Sequence, residues 1–97
     1  MHHEQAMHTE QLEIRGVNRR DILRYLSELG GQICTESLAS TTVFQHPNWE
    51  CHVSREEFFI FLQSQVPKVH VRFLSSNQHK LEEIVEAFRL KTFRAGG

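Results

Sequence analysis

The sequence predicts an α+β domain, one antiparallel sheet with two helices on one of its faces. Two helical signatures flank β-rich sequence. The first, Asn18 to Gly31, reads N-R-R-D-I-L-R-Y-L-S-E-L-G-G and carries both of its own end signals. Asn18 can cap the start, Asp21 places a carboxylate in the positive first turn, and Gly30-Gly31 supplies a left-handed stop. Ile22, Leu23, Leu26 and Leu29 make its apolar stripe. The second, Asn77 to about Leu90, spaces Leu81, Ile84, Val85 and Phe88 in the same way. With 97 residues the chain suits a single core.

Residues 1–10 are polar and lack a period, so a disordered tail is expected before a domain over residues 11–97. Gln11 to Val17 alternates Leu12 and Ile14 with Glu13 and Arg15, as a strand does, and Gly16 turns the chain into the first helix. Gln32 to Leu38 is a second expected strand. Thr41 to Gln45 and Trp49 to Val53 form a hairpin about His46-Pro47-Asn48, with Trp49, Cys51 and Val53 on one face and Glu50, His52 and Ser54 on the other. From 54 onwards two readings compete. Ser54 and Glu57 fit a capping box and a short helix or turn over 55–59, whereas the β-formers of 58–63 suit a strand. Val66-Pro67 is expected to end either one. Lys68 to Leu74 alternates most clearly, with Val69, Val71 and Phe73 inward and Lys68, His70 and Arg72 outward. After the second helix, Lys91 to Gly97 is expected to add a short last strand and a flexible end. Two helices, each burying one stripe, need a common sheet face, and the economical arrangement is a ferredoxin-like sandwich.

Composition narrows the function. The net charge of −1 with histidine neutral argues against nucleic acid, whose binders carry a basic excess. The longest apolar run, Phe58 to Leu62, is too short to span a bilayer. Met1 to Thr9 has no secretion-signal core, and Cys34 and Cys51 read as reduced thiols, so a cytoplasmic protein is expected.

Candidate sites follow from residue type and position. At a helix N-terminus, Asn18, Arg19 and Arg20 could hold an anion through backbone N–H groups and guanidinium forks; a capped start with solvated arginines and Asp21 at the positive end is the favoured explanation, since every helix offers this site and few use it. Lys68, His70 and Arg72 give the open sheet face a basic strand, but Phe73 alternates away from it, so no stacking platform for bases accompanies the charge. Trp49 with Lys68, His70 and Arg72 is therefore expected to contact a protein, because large aromatics and arginines dominate interfaces. His46, Cys51 and His52 match no closed four-ligand metal pattern. Adjacent Cys51 and His52 diverge as strand neighbours and make no nucleophile and base, and Asp21 is explained by its helix turn, so neither catalysis, metal nor cofactor is expected. The end Gly96-Gly97 resembles the slim tail of ubiquitin-like sulfur carriers. Those folds open with a hairpin, however, whereas here one strand precedes the first helix.

Two further resemblances cover more of the chain. Arg15 to Leu26, Leu29-Gly30-Gly31, the strand from Val66-Pro67 to Phe73, and the end Phe88 to Arg94 together resemble a small accessory domain of proteins related to the molybdopterin-synthase small subunit. That resemblance implies molybdenum-cofactor or sulfur-carrier biology by association, without a catalytic motif and without the ubiquitin-like half that bears the chemistry. The strand, loop and helix from Leu12 to Leu29 are also similar to ACT domains, which sense amino acids at a dimer interface. Arg20-Asp21-Ile22 stands where that family has the glycine that lets a ligand approach the backbone. The expectation is a non-enzymatic interaction module, a homodimer or the partner of another protein, with a small-ligand sensor or a sulfur carrier as alternatives.

Overall fold

The computed structural model describes residues 7–36 and 41–96. In chain order the elements are β1 (His8–Arg15), α1 (Arg19–Glu28), β2 (Gln32–Glu36), β3 (Thr42–His46), β4 (Trp49–Val53), β5 (Glu57–Phe61), β6 (Ser64–Ser75) and α2 (Gln78–Gly96). All pairings are antiparallel, in the order β1-β6-β4-β3-β2, with β5 also on β6. Alternation along β6 buries Val69, Val71 and Phe73. Register then sets Ile14 and Leu12 beside Val69 and Val71, and Val53 and Cys51 beside Val71 and Phe73. Ile22 and Leu26 of α1 and Leu81, Ile84, Val85 and Phe88 of α2 close over this face in one cluster. The α+β architecture with both helices on one sheet face is thus the one expected.

Helix α1 begins and ends where its sequence says. Asn18 Oδ1 accepts from the Asp21 N–H at 2.9 Å. At the other end the Gly30 N–H reaches the Ser27 carbonyl and the Gly31 N–H the Leu26 carbonyl, both at 3.0 Å, a Schellman ending with Gly30 at φ 100°. Gly31 is needed for a second reason: a Cβ there would lie 2.6 Å from Trp49 Cη2, with Phe44 at 3.1 Å.

Three expectations are corrected. Strand β1 starts at His8 rather than Gln11, because β6 extends to Ser75 and offers His8, Thr9 and Glu10 partners; the rest of the expected tail, residues 1–6, lies outside the described residues. Lys91 onward continues α2 instead of forming a strand, since Thr92 repeats the buried spacing of Leu81, Val85 and Phe88 and its hydroxyl donates to the Phe88 and Arg89 carbonyls. Of the two competing readings after residue 54, the strand is the one found, as β5 over 57–61. Pro67 does not end an element but sits inside β6. Its carbonyl accepts from the Gly16 N–H at 2.9 Å, so its nitrogen points to the same side, where β1 has just run out and no acceptor needs a donor. The part of the second expected strand beyond Glu36 falls on residues 37–40, outside the described residues.

Strand β6 outruns its neighbours. Pairing with β4 stops at Val53↔Val71 and with β1 at Arg15↔Lys68, while β5 pairs from Lys68 to Ser64. The overhang is a two-stranded arm, and the molecule measures 56 × 28 × 21 Å. At its tip Leu62 and Gln63 both have positive φ, 50° and 66°, the geometry of a type I′ turn that asparagine and glycine normally supply.

Replacing Gly31 by alanine forces Trp49 or the Leu26 turn to shift, and should lower stability by about 1–3 kcal/mol. Urea denaturation followed by Trp49 fluorescence measures this; an unchanged midpoint would show that the approach is not tight.

Candidate functional site

The start of α1 is occupied by the chain itself. Strand β4 ends at Val53, and the following segment passes in front of the helix. There Glu56 Oε1 accepts the Arg19 N–H at 2.6 Å, placing a carboxylate where an external anion would sit. Arg19 Nε donates to the Ser54 carbonyl at 2.8 Å and Nη2 to Thr42 Oγ1 at 2.6 Å. Thr42 is fully buried, so this guanidinium fastens α1 to the ends of β3 and β4. Of the expected anion-binding set, Asn18 is spent on the cap, Arg19 on these bonds, and Arg20 is exposed. Arg19 and Glu56 make an internal clasp at this helix start.

The open sheet face carries the expected basic strand, and its charges are largely matched. His70 Nε2 lies 3.4 Å from Glu13 Oε1 across the β1–β6 pair. Arg15 hydrogen-bonds the same carboxylate and, with Lys68 and His70, holds it below its ordinary value of 4.5. On β4, His52 and Glu50 bond each other. Arg72 is exposed, between Gln11 and His52 in the register. Lys68, His70 and Arg72 are therefore brought to one face as expected. Trp49 is not with them: it is 6% exposed, stacked on His46 at 5.0 Å and set edge-on to Phe73 at 6.0 Å. Its position on the inward register of β4, beside the groove that Gly31 leaves, makes it core rather than a contact residue.

Cys51 lies in the core, where burial pushes its thiol pKa up, and His52 is half-buried on the opposite face. Neither cysteine is in a disulfide. Among the described residues no three His, Cys, Asp or Glu side chains converge as metal ligands, and no helix is long and apolar enough to cross a membrane. Gly96 is the last residue of α2, and Gly97 lies outside the described residues. A cleft of about 740 Å³ opens at the β3–β4 turn beside His46, Asn48, Gln32 and Glu50.

The surface that residue-by-residue reading missed is the arm. Phe58 is 55% exposed, Ile60 67%, Phe61 58% and Leu62 82%. Phe58 and Ile60 face the helix side of the sheet and Phe59 and Phe61 the open side, by their pairing with Pro67, Gln65, Val66 and Ser64. Only Phe59 gains a cover, the Arg15 guanidinium 4.9 Å from its ring centre. The signal was present in the sequence as ten consecutive residues without a charge, Phe58 to Pro67.

A family model for archaeal MoaD-like protein matches residues 10–97. No curated protein and no solved structure was found to match the chain.

Arg19→Met strips Thr42 and the Ser54 carbonyl of their donor, and should destabilise the fold by about 1–3 kcal/mol; thermal melts of the two proteins measure it, and equal midpoints would dismiss the clasp. For Glu13 the depressed carboxyl contributes stability above its unfolded pKa and loses it as pH falls through the lower folded value. Arg15→Met should therefore raise the Glu13 titration midpoint towards 4.5, read by carboxyl NMR; an unmoved midpoint would refute the pairing.

Proposed function

Because the chain belongs to the archaeal MoaD-like family, we propose that it serves molybdopterin- or sulfur-carrier-related biology as a non-enzymatic interaction module. It presents a surface to another protein chain and transforms no substrate. The observation that carries this reading is the arm, which raises four large apolar side chains into solvent beyond the domain. Soluble domains rarely expose contiguous apolar surface unless a partner covers it. The open face with Arg72 lies next to the arm, through Arg15 over Phe59, and extends the same surface with a polar rim. A sensor using Asn18, Arg19 and Arg20 draws no support from a helix start already filled by Glu56.

A second reading, a sulfur carrier acting through Gly96 and Gly97, draws on the same family match, which runs to Gly97. Such a tail must leave α2 to enter an activating enzyme as extended chain, and glycine's weak helix propensity makes that release easy.

One experiment separates the readings. The tagged full chain is expressed in its native cells beside the variants Ile60→Lys and Arg72→Glu. The module reading expects a chain retained in near-stoichiometric amount, another protein or an untagged copy, that Ile60→Lys loses and Arg72→Glu retains less well. Identical retention by wild type and both variants would overturn it. The carrier reading expects intact-mass spectra of the same samples to show sulfur in place of a terminal carboxyl oxygen, and it falls if that species never appears.

A further inference from the structure

We infer that the β5–β6 arm takes a second copy of this chain: two copies pair their β5 edges antiparallel about a two-fold axis, closing a four-stranded apolar ribbon. The inference rests on the interaction-module reading and adds the occupant.

The arm is incomplete by itself. An isolated two-stranded ribbon is marginal in water, whereas a third or fourth strand gives it independent stability. Among the described residues β5 pairs with β6 alone, so its outer edge offers backbone donors and acceptors to another strand. Its tip is strained as well, with Leu62 and Gln63 in the left-handed region and Leu62 almost fully in water. Strain of this kind is kept where surrounding structure or a ligand uses it.

Charge identifies the occupant. From Phe58 to Pro67 there is no ionisable side chain, so the edge has nothing with which to select a charged peptide and nothing with which to repel itself. Protective edge charges begin only at the base, with Arg55 paired to Glu57 at 3.8 Å. In a two-fold pairing centred near Phe59, Glu57 of one copy lies opposite Phe61 of the other, so the carboxylates stay apart and no like charges face each other. An edge that is apolar, uncharged and symmetric in this sense is self-complementary, as a two-fold contact requires.

The four exposed side chains present on the order of 450 Å² of apolar surface per copy, taking ~180 Å² for a large apolar side chain. Edge pairing covers the flanks of these side chains along the seam and joins the rest into one continuous apolar ribbon. Another exposed apolar spot, Leu90 and Phe93 on α2, borders a groove of about 370 Å³ beside the edge strand β1, whose Glu13 and Arg15 give it the charges the arm does not have, and it supplies a control.

Light scattering of the full chain across a hundredfold concentration range tests the inference. Wild type should reach twice the 11.4 kDa chain mass, Ile60→Lys should stay at the single-chain mass with unchanged circular dichroism, and Phe93→Ser should still dimerise. Hydrogen exchange on the unmodified protein adds a reading independent of any variant: amides of 57–61 should slow as concentration rises, and those of α1 should not. A wild-type monomer, a dimer that survives Ile60→Lys, or a dimer lost in Phe93→Ser each overturns the second-copy assignment. A monomer that still retains another protein through the arm in native cells leaves the module reading standing; a monomer that retains nothing removes both.

Discussion

The structure depends on one strand that is longer than its partners. Twelve residues of β6 lie against eight of β1, five of β4 and five of β5. Its second half is the floor of the core, where Phe73 meets Phe88 edge-on at 5.3 Å and Trp49 at 6.0 Å. Its first half has no helix to lie under, because α1 and α2 cover only the part that β1 and β4 flank. A strand must satisfy its backbone groups along its whole length, so the overhang recruits β5 for one edge, and the arm is the consequence. Core and arm are thus two ends of the same hydrogen-bond ladder, and the rigidity of the buried end holds the exposed end in place.

The helix layer is tied to this sheet by polar contacts at its ends. Asn18, Glu56 and Arg19 join the start of α1 to β3 and β4, and Lys91 reaches Glu28 at 2.9 Å to join the two helices at the other end. The latter bridge, with Arg24, keeps the Glu28 carboxyl below its ordinary range. Both members are largely solvated, so this contact orients more than it stabilises. The Arg19 clasp differs because its acceptor Thr42 is buried, and a buried hydroxyl without its partner is costly. It also sets a carboxylate of the chain's own at the positive end of α1.

Much of the fold was legible because it is written locally. The Asn18 cap, the Gly30-Gly31 ending, the Pro47-Asn48 turn and the alternation of Val69, Val71 and Phe73 each depend on a few adjacent residues. What was not legible depends on register. Pro67 reads as a break until the end of β1 is known to fall beside it, and Thr92 and Phe93 read as a strand until Thr92 is seen to continue the buried line of α2. Trp49 looks like an interface residue by type, and becomes core because Gly31, far off in sequence, leaves it space. Arg19 resembles an anion ligand until Glu56 arrives from the segment after β4. The open face came out as expected, since alternation alone puts Lys68, His70 and Arg72 together. The arm was hidden by ambiguity between a capping box at Ser54 and β-formers at 58–62, which only pairing to β6 resolves.

The distribution of charge separates the two candidate surfaces by physical character. On the open face, Glu13 meets Arg15 and His70, and Glu50 meets His52, while Lys68 and Arg72 add positive charge at contacts sensitive to salt. Such a face steers and orients a partner more than it holds one. The arm has the opposite character: apolar, uncharged, with backbone groups along its edge, it gains most from being covered and little from orientation at a distance. An exposed edge without protective charge is a hazard for a free monomer. Its presence in a chain whose remaining surface is well matched is therefore best explained by a state in which that edge is normally paired. On the proposed reading the arm supplies the chemistry of contact: main-chain hydrogen bonds for affinity, with Phe58, Ile60, Phe61 and Leu62 excluding water around them.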